Sequence, residues 1–167
     1  MAIILGIDPG TTITGYGVIS THNGKPEPLD FGCIKPPPKS PLQERYRIIF
    51  DSLEQLIFQF KPTAVSVESQ FVMKNVQSAL KLGMAKGMVY LAAERQKIPI
   101  FEYAPKKAKL AIVGNGSASK LQVQKMVAML LCLPKLPEPE DAADALALAI
   151  CHAHHIHLRG TLDLLRN

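Results

Sequence analysis

The sequence predicts an α/β fold around a mixed sheet, and three observations carry that expectation. Three short strand patterns open the chain with links too tight for helical crossovers, which makes them an antiparallel meander. Helix-spaced and strand-like stretches then alternate to the end. Two of the strands finish on an acid after residues that are nearly all apolar.

The elements follow in order. Ile3 to Asp8 is an apolar run that breaks at Pro9-Gly10, a buried strand ending in a turn. Thr14 to Ser20 and Leu29 to Ile34 read as two more strands, with a polar turn at His22-Asn23-Gly24-Lys25 between them. Pro36-Pro37-Pro38 and Ser40-Pro41 form a stiff connector, after which Leu42, Tyr46, Ile49, Leu53, Leu56 and Phe60 recur at helical spacing. Thr63 to Glu68 is a strand that ends on a carboxylate, a long helix spans about Val76 to Gln96, and Ile98 to Tyr103 is a further strand. Ser119 to Leu131 is helical, Pro134 to Pro139 is a rigid linker, and an Ala- and Leu-rich helix runs from Asp141 to about His157. No internal repeat or domain boundary is visible.

With 167 residues and 47% hydrophobic content, the chain is sized for one domain with its own core, expected over residues 1–157 with a C-terminal tail over 158–167. Charged residues at 20% and aromatics at 6% exclude a disordered or low-complexity chain. No apolar run approaches the roughly 18 residues of a membrane span. The opening Met1 to Asp8 lacks a basic n-region and is not a signal peptide. Cys33, Cys132 and Cys151 are odd in number and widely separated, which suits buried thiols in a reducing cytoplasm.

The formal charge is +5 and the pI near 9.2, mild evidence for a polyanionic partner. Ten basic residues fall between Lys74 and Lys125 against two acids, Glu94 and Glu102, so the rest of the chain is slightly acidic. A solvated face accounts for such a run equally well. Gly- and Ser-rich loops beside the cations, Lys106-Lys107-Ala108-Lys109 and Asn115 to Lys120, favour phosphate contacts.

Among the acids, Asp8 and Glu68 end the first and fourth strands, where a carboxylate points into the crevice in which α/β sheets bind ligands. Asp141 and Asp144 are spaced i, i+3 and share one face of the last helix, which is otherwise alanine. Acids in a first helical turn also serve the macrodipole, and Asp141 equally fits an N-cap. If these elements converge, four carboxylates meet and repel one another unless cations are present. Oxygen-only ligands suit Mg²⁺, with Mn²⁺ as a substitute, and two ions about 3.5–4 Å apart suit in-line phosphodiester hydrolysis. Glu140, beside Asp141, reads as a bystander.

Gly6-Ile7-Asp8-Pro9-Gly10 with Thr14 to Ile19, then Val67-Glu68, Ser78 to Gly83, Phe101 to Pro105, Val113 to Ala118 and Asp141 to His152, resembles the RuvC family of Holliday-junction resolvases. The match runs from Ile3 to about His154 with motifs in the family's order and spacing. The resemblance implies a ribonuclease-H-like fold with a five-stranded mixed sheet flanked by helices. It also implies a homodimer and Mg²⁺-dependent cutting of four-way DNA junctions in recombination and repair, two strands of like polarity being nicked symmetrically. By motif position Asp8, Glu68, Asp141 and Asp144 are the catalytic, metal-holding carboxylates. Phe71 stands where the family places an aromatic that stacks on a junction base, a contact of about 1–3 kcal/mol, although core packing would also explain it. Lys109 and Lys120 align with lysines near the DNA backbone, with Lys74, Lys81, Lys106 and Lys107 as further candidates. The RuvA–RuvB branch-migration complex is the partner the family implies.

Other readings are weaker. His152, His154, His155 and His157 allow a zinc or catalytic role, but such spacing on a C-terminal helix usually belongs to surface or partly packed residues. Ala79, Gly83 and Gly87 form a small-residue stripe that fits either the chain's own sheet or a dimer seam. Asp8-Pro9-Gly10-Thr11-Thr12 also resembles the first phosphate loop of actin-like ATPases and sugar kinases, which need two related domains. A ribosomal-RNA-processing relative of the ribonuclease-H type lacks the matches after Glu68, and a non-catalytic junction-binding module would not keep all four acids.

Overall fold

The alternation of β1 (Ala2–Asp8) sets the two sides of the molecule. Ile3, Leu5 and Ile7 pack to one side of the sheet, while Ile4 packs to the other, the side shared by Gly6 and Asp8. A computed structural model describes residues 1–69 and 75–164, from 160 onward as backbone alone. Its sheet has the order β3-β2-β1-β4-β5. β1 pairs antiparallel with β2 (Thr14–His22), which pairs antiparallel with β3 (Lys25–Ile34). On its other side β1 runs parallel to β4 (Ala64–Glu68), and β4 parallel to β5 (Ile100–Tyr103). The expected meander and mixed sheet are both present.

Helices α1 (Leu42–Phe60) and α2 (Val76–Arg95) cover one face, burying Ile49, Leu53, Ile57, Val89 and Ala92 against Leu5, Ile7, Val18 and Val65. The other face carries α5 (Glu140–Leu164), flanked by α3 (Pro105–Val113) and α4 (Lys120–Leu130). Here Ile4 and Ile19 pack on Leu146, Ala149, Ile150, Val123 and Val127. No helix among the described residues is long and apolar enough to cross a membrane.

Three elements differ from the sequence expectation. β3 begins at Lys25 rather than Leu29, because Asn23 (φ 51°) and Gly24 (φ 79°) make a two-residue hairpin turn and Pro26 and Pro28 sit on an edge strand, which tolerates missing donors. The segment 105–113, expected as a loop, is α3, with Pro105 at its start and Gly114 (φ 77°) closing it. Finally, α5 continues to Leu164, past the expected end near His157.

Two glycines let α5 lie directly on the sheet. A Cβ at Gly6 would stand 2.0 Å from the Ala145 carbonyl oxygen, and one at Gly15 would stand 2.0 Å from that of Asp141. Ala142, Ala143, Ala145 and Ala149 on the helix are fully buried. Backbone against backbone, with no side chain longer than methyl between them, brings the start of α5 down to the end of β1.

Candidate active site

Asp8 leaves the C-terminal end of β1, and Glu68 leaves that of β4. The parallel register pairs Ile7 with Val67, so the two acids emerge side by side at the next step. Asp144 reaches the same place from above. With Asp8 and Glu68 it lines a cleft of about 310 Å³ whose opposite wall carries Lys109 of α3 and Lys120 of α4. Asp141 borders a neighbouring cavity, and its charge still acts on both Asp8 and Asp144. α5 starts at Glu140, which puts Asp141 inside the first turn rather than at the capping position.

The electrostatics are those of crowded, half-buried acids. Burial first, then the charges of Glu68, Asp144 and Asp141, push the Asp8 carboxyl up to about 7, against the pull of Lys120. Burial and then Asp144 raise Glu68, which Lys120, Lys86 and Lys109 partly offset. Burial also raises Asp144, against Lys120, with Asp141 and Glu140 adding to the rise. Among the described residues no three His, Cys, Asp or Glu side chains are gathered closely enough to hold a metal ion as they stand.

Lys120 is more intimately placed than a lysine along a DNA path. Its Nζ lies 3.4 Å from Glu140 Oε2 and 3.7 Å from Asp144 Oδ2. Glu140, read from sequence as a bystander, thus holds the cation that faces the cleft. The capping box of Ser119 and Gln122 fixes the first turn of α4, on which Lys120 rides.

The other sequence candidates divide. Lys81 is exposed and lines the cavity beyond Asp141. Lys106 and Lys107 are exposed on α3, with Lys107 Nζ 5.4 Å from the Tyr103 ring centre. Lys86, part of the basic run, is buried and bonds Glu102 at 2.6 Å, while Arg95 pairs with Glu54 and Lys97 with Glu94. Phe71 and Lys74 lie outside the described residues. Thr11, Thr12 and Ser78, which line the cavity beside Lys81, were not singled out from sequence as site residues; the Thr pair after Asp8-Pro9-Gly10 is the signal that points to them.

Two of the histidines on α5 are held by contacts within the fold. His152 is buried, with Nδ1 2.7 Å from the Tyr103 hydroxyl and its ring 4.2 Å from that of Phe101. Burial lowers its pKa to about 4, so it is neutral at physiological pH. His154 Nδ1 lies 3.3 Å from the Ala111 carbonyl oxygen.

A sheet in this order, acids ending its two central parallel strands and a helix laid across them with two more, defines a nuclease of the ribonuclease-H-like class. The family model for "Crossover junction endodeoxyribonuclease RuvC" matches residues 4–152. The chain belongs to the RuvC family of Holliday-junction resolvases. It is 62% identical over 151 residues to the crossover junction endodeoxyribonuclease RuvC of Protochlamydia amoebophila, covering 90% of each chain. Against that of Desulfitobacterium hafniense it is 44% identical, covering 93% of this chain and 94% of the relative. T. thermophilus RuvC, solved in complex with a Holliday junction substrate, superposes with a TM-score of 0.90 at 36% identity, over 95% of this chain and 97% of that one.

Proposed function

We propose that two copies of this chain resolve a four-way DNA junction by Mg²⁺-dependent hydrolysis of two phosphodiester bonds, on strands of like polarity and symmetrically about the crossover. The observation that carries this reading is the meeting of Asp8, Glu68 and Asp144 in one cleft with Lys109 and Lys120, Asp141 lining the neighbouring cavity. Burial and the neighbouring acids raise the Asp8 carboxyl to about 7 in spite of Lys120, and an all-oxygen donor set fits a hard divalent cation. Asp8, Glu68, Asp141 and Asp144 would hold Mg²⁺, two ions per site, with Mn²⁺ as the substitute. When bound, the metal activates water and neutralises charge at the phosphate.

The chain's own residues bind and orient the strand. The ammoniums of Lys109 and Lys120 face the acids across the cleft and suit the phosphates next to the cut, with Lys106 and Lys107 further out on α3. Phe71 stacks on a junction base, by motif position, and Lys74 is a further candidate for the backbone. The T. thermophilus relative bound to a Holliday junction supports the same substrate here.

The homodimer forms through α2. Gly83 and Gly87 have nothing within 4 Å of an added Cβ, so the small-residue stripe does not pack on the chain's own sheet. Val76, Leu80, Met84 and Leu91 stand exposed on the same side. The RuvA–RuvB complex is the partner that family membership suggests. Of the three cysteines, expected to be buried, only Cys151 is, Cys33 being half-buried and Cys132 exposed; their being unpaired would suit work in the cytoplasm.

A synthetic four-way junction incubated with and without Mg²⁺, beside a linear duplex, tests the reading. Paired nicks in the junction alone, only with metal, and none from Asp8→Asn are expected. Equal cutting of duplex, or persistent cutting by Asp8→Asn, overturns it.

A further inference from the structure

A second cavity, of about 430 Å³, lies across Asp141 from the carboxylate cleft. Gly10, Thr11 and Thr12 of the β1–β2 loop and Ser78 and Lys81 of α2 line it, together with Asp141. The frame is held from behind. Thr14, fully buried, donates its hydroxyl to the Gly10 carbonyl at 2.7 Å and accepts from the Gly10 N–H at 3.2 Å. Asn75 caps α2 by accepting from the Ser78 N–H, and the Tyr46 hydroxyl donates to the Lys81 carbonyl at 3.2 Å, tying that turn to α1.

The donors that face outward from this frame are unspent. Among the described residues, the hydroxyls of Thr11, Thr12 and Ser78 and the Lys81 ammonium make no hydrogen bond or ion pair. One cation and three hydroxyls are donors for an anion with several oxygens. Among the described residues that line the cavity none is aromatic. Among the described lining residues the only acid is Asp141, itself one of the proposed metal ligands.

We propose that this cavity is a phosphate subsite for the cut strand, taking a phosphodiester on the side of the scissile bond away from Lys109 and Lys120. The proposal rests on the junction-cutting reading above and adds to it a second point of grip. A strand crossing the acids then has cations on both flanks, α3 and α4 on one side and Lys81 on the other. At about 100° per helical residue, Lys81 stands about 100° around α2 from Leu80, about 160° from Gly83 and about 120° from Gly87, so a second copy centred on the glycines leaves the subsite open.

The test measures binding of a synthetic four-way junction without divalent metal, so that cleavage does not enter. Wild type, Lys81→Ala, Lys81→Ala with Ser78→Ala, and Lys81→Arg are each titrated against junctions carrying one neutral methylphosphonate at successive positions on both sides of the cut. Lys81→Ala is expected to weaken binding roughly tenfold and reduce the salt slope by about one. One methylphosphonate position that weakens wild-type binding should have no further effect on Lys81→Ala, while positions near Lys109 stay sensitive. Lys81→Arg should retain most of the affinity, and the Ser78→Ala addition should deepen the loss only with unmodified phosphate at that position. Additive losses at every position, or an unchanged salt slope, overturn the subsite and leave the junction reading standing. A wild-type protein that binds junction no better than linear duplex overturns the junction reading, and the subsite with it.

Discussion

The Lys120 ammonium stands 3.7 Å from Asp144 Oδ2, so the carboxylate cleft carries a cation of its own. Glu140, 3.4 Å from the same nitrogen, keeps it there. Asp144, more than any other neighbour, raises the pKa of Lys120, and Lys120 in turn lowers those of Asp8, Glu68 and Asp144. The Lys120 side chain is 62% exposed, which screens the effect.

Lys120→Ala should therefore shift the pH at which half the sites bind Mn²⁺ upward, because the acids lose the charge that favours their ionised form. The shift should shrink in about 1 M salt, where screening acts over about 3 Å. Lys120→Arg should restore it. A calorimetric titration of Mn²⁺ across pH values measures the midpoint, and an unmoved midpoint in Lys120→Ala would place the ammonium away from the acids in solution.

Asp8 gives a stability prediction with a definite sign. Its pKa is about 7 in the metal-free folded chain against 3.8 when unperturbed, so the folded state binds the extra proton between these values. Stability then falls as pH rises through that window, and above it the ionised acid costs at most roughly 4 kcal/mol, at 1.36 per unit. Asp8→Asn should accordingly raise the metal-free Tm at pH 8 and leave it nearly unchanged at pH 4. Saturating Mg²⁺ should narrow the gap at pH 8 by stabilising wild type more than the variant. Thermal unfolding at the two pH values, with and without Mg²⁺, checks this, and equal Tm values at pH 8 without metal would contradict it.

The acids were legible in the sequence because each sits where its element's pattern makes a charge anomalous. Asp8 and Glu68 follow apolar strand residues, and Asp141 and Asp144 interrupt an alanine face. Their meeting was not legible in the pattern alone. It depends on β4 pairing with β1 rather than with its sequence neighbour β3, a long-range choice that local periodicity does not encode. The motif resemblance supplied that step. α3 was hidden because Lys106, Lys107 and Lys109 mask its short apolar side, Ala108 and Ile112, although Pro105 and Gly114 mark its two ends. The basic run looked uniform as a string, yet Lys86 is consumed by Glu102 inside the fold.

Gly15 tests the close approach that brings helix to sheet. A Cβ there meets the Asp141 carbonyl oxygen at 2.0 Å and its carbon at 2.4 Å, both backbone atoms of α5. Gly15→Ala must push the first turn of α5 off the sheet and carry Asp141 and Asp144 away from Asp8. About 2–4 kcal/mol of stability should be lost, in the range of severe overpacking. Mn²⁺ affinity should fall as well, at temperatures where the variant is still folded. Denaturant unfolding and Mn²⁺ titration measure the two effects, and a variant with wild-type values of both would show that α5 adjusts freely.

The exposed stripe on α2 makes the last prediction. Val76, Leu80 and Met84 are 68%, 64% and 57% exposed, on the side of the helix opposite the buried Ala85, Val89, Ala92 and Ala93. A single chain leaves that apolar surface in water, and a second copy would remove it, with the glycines letting the helices approach closely. Leu80→Glu with Met84→Glu places two like charges on each side of such a seam, at a cost large enough to separate it. Light scattering should then report the 18.3 kDa chain alone, where wild type reports twice that mass. Cleavage assays should show scattered single nicks in place of paired ones, since in the proposed dimer each copy would cut one strand. Leu121→Glu, on an equally apolar exposed position of α4, should leave mass and paired cutting intact. Wild type running as a monomer, or the double variant remaining a dimer, would remove α2 from the interface.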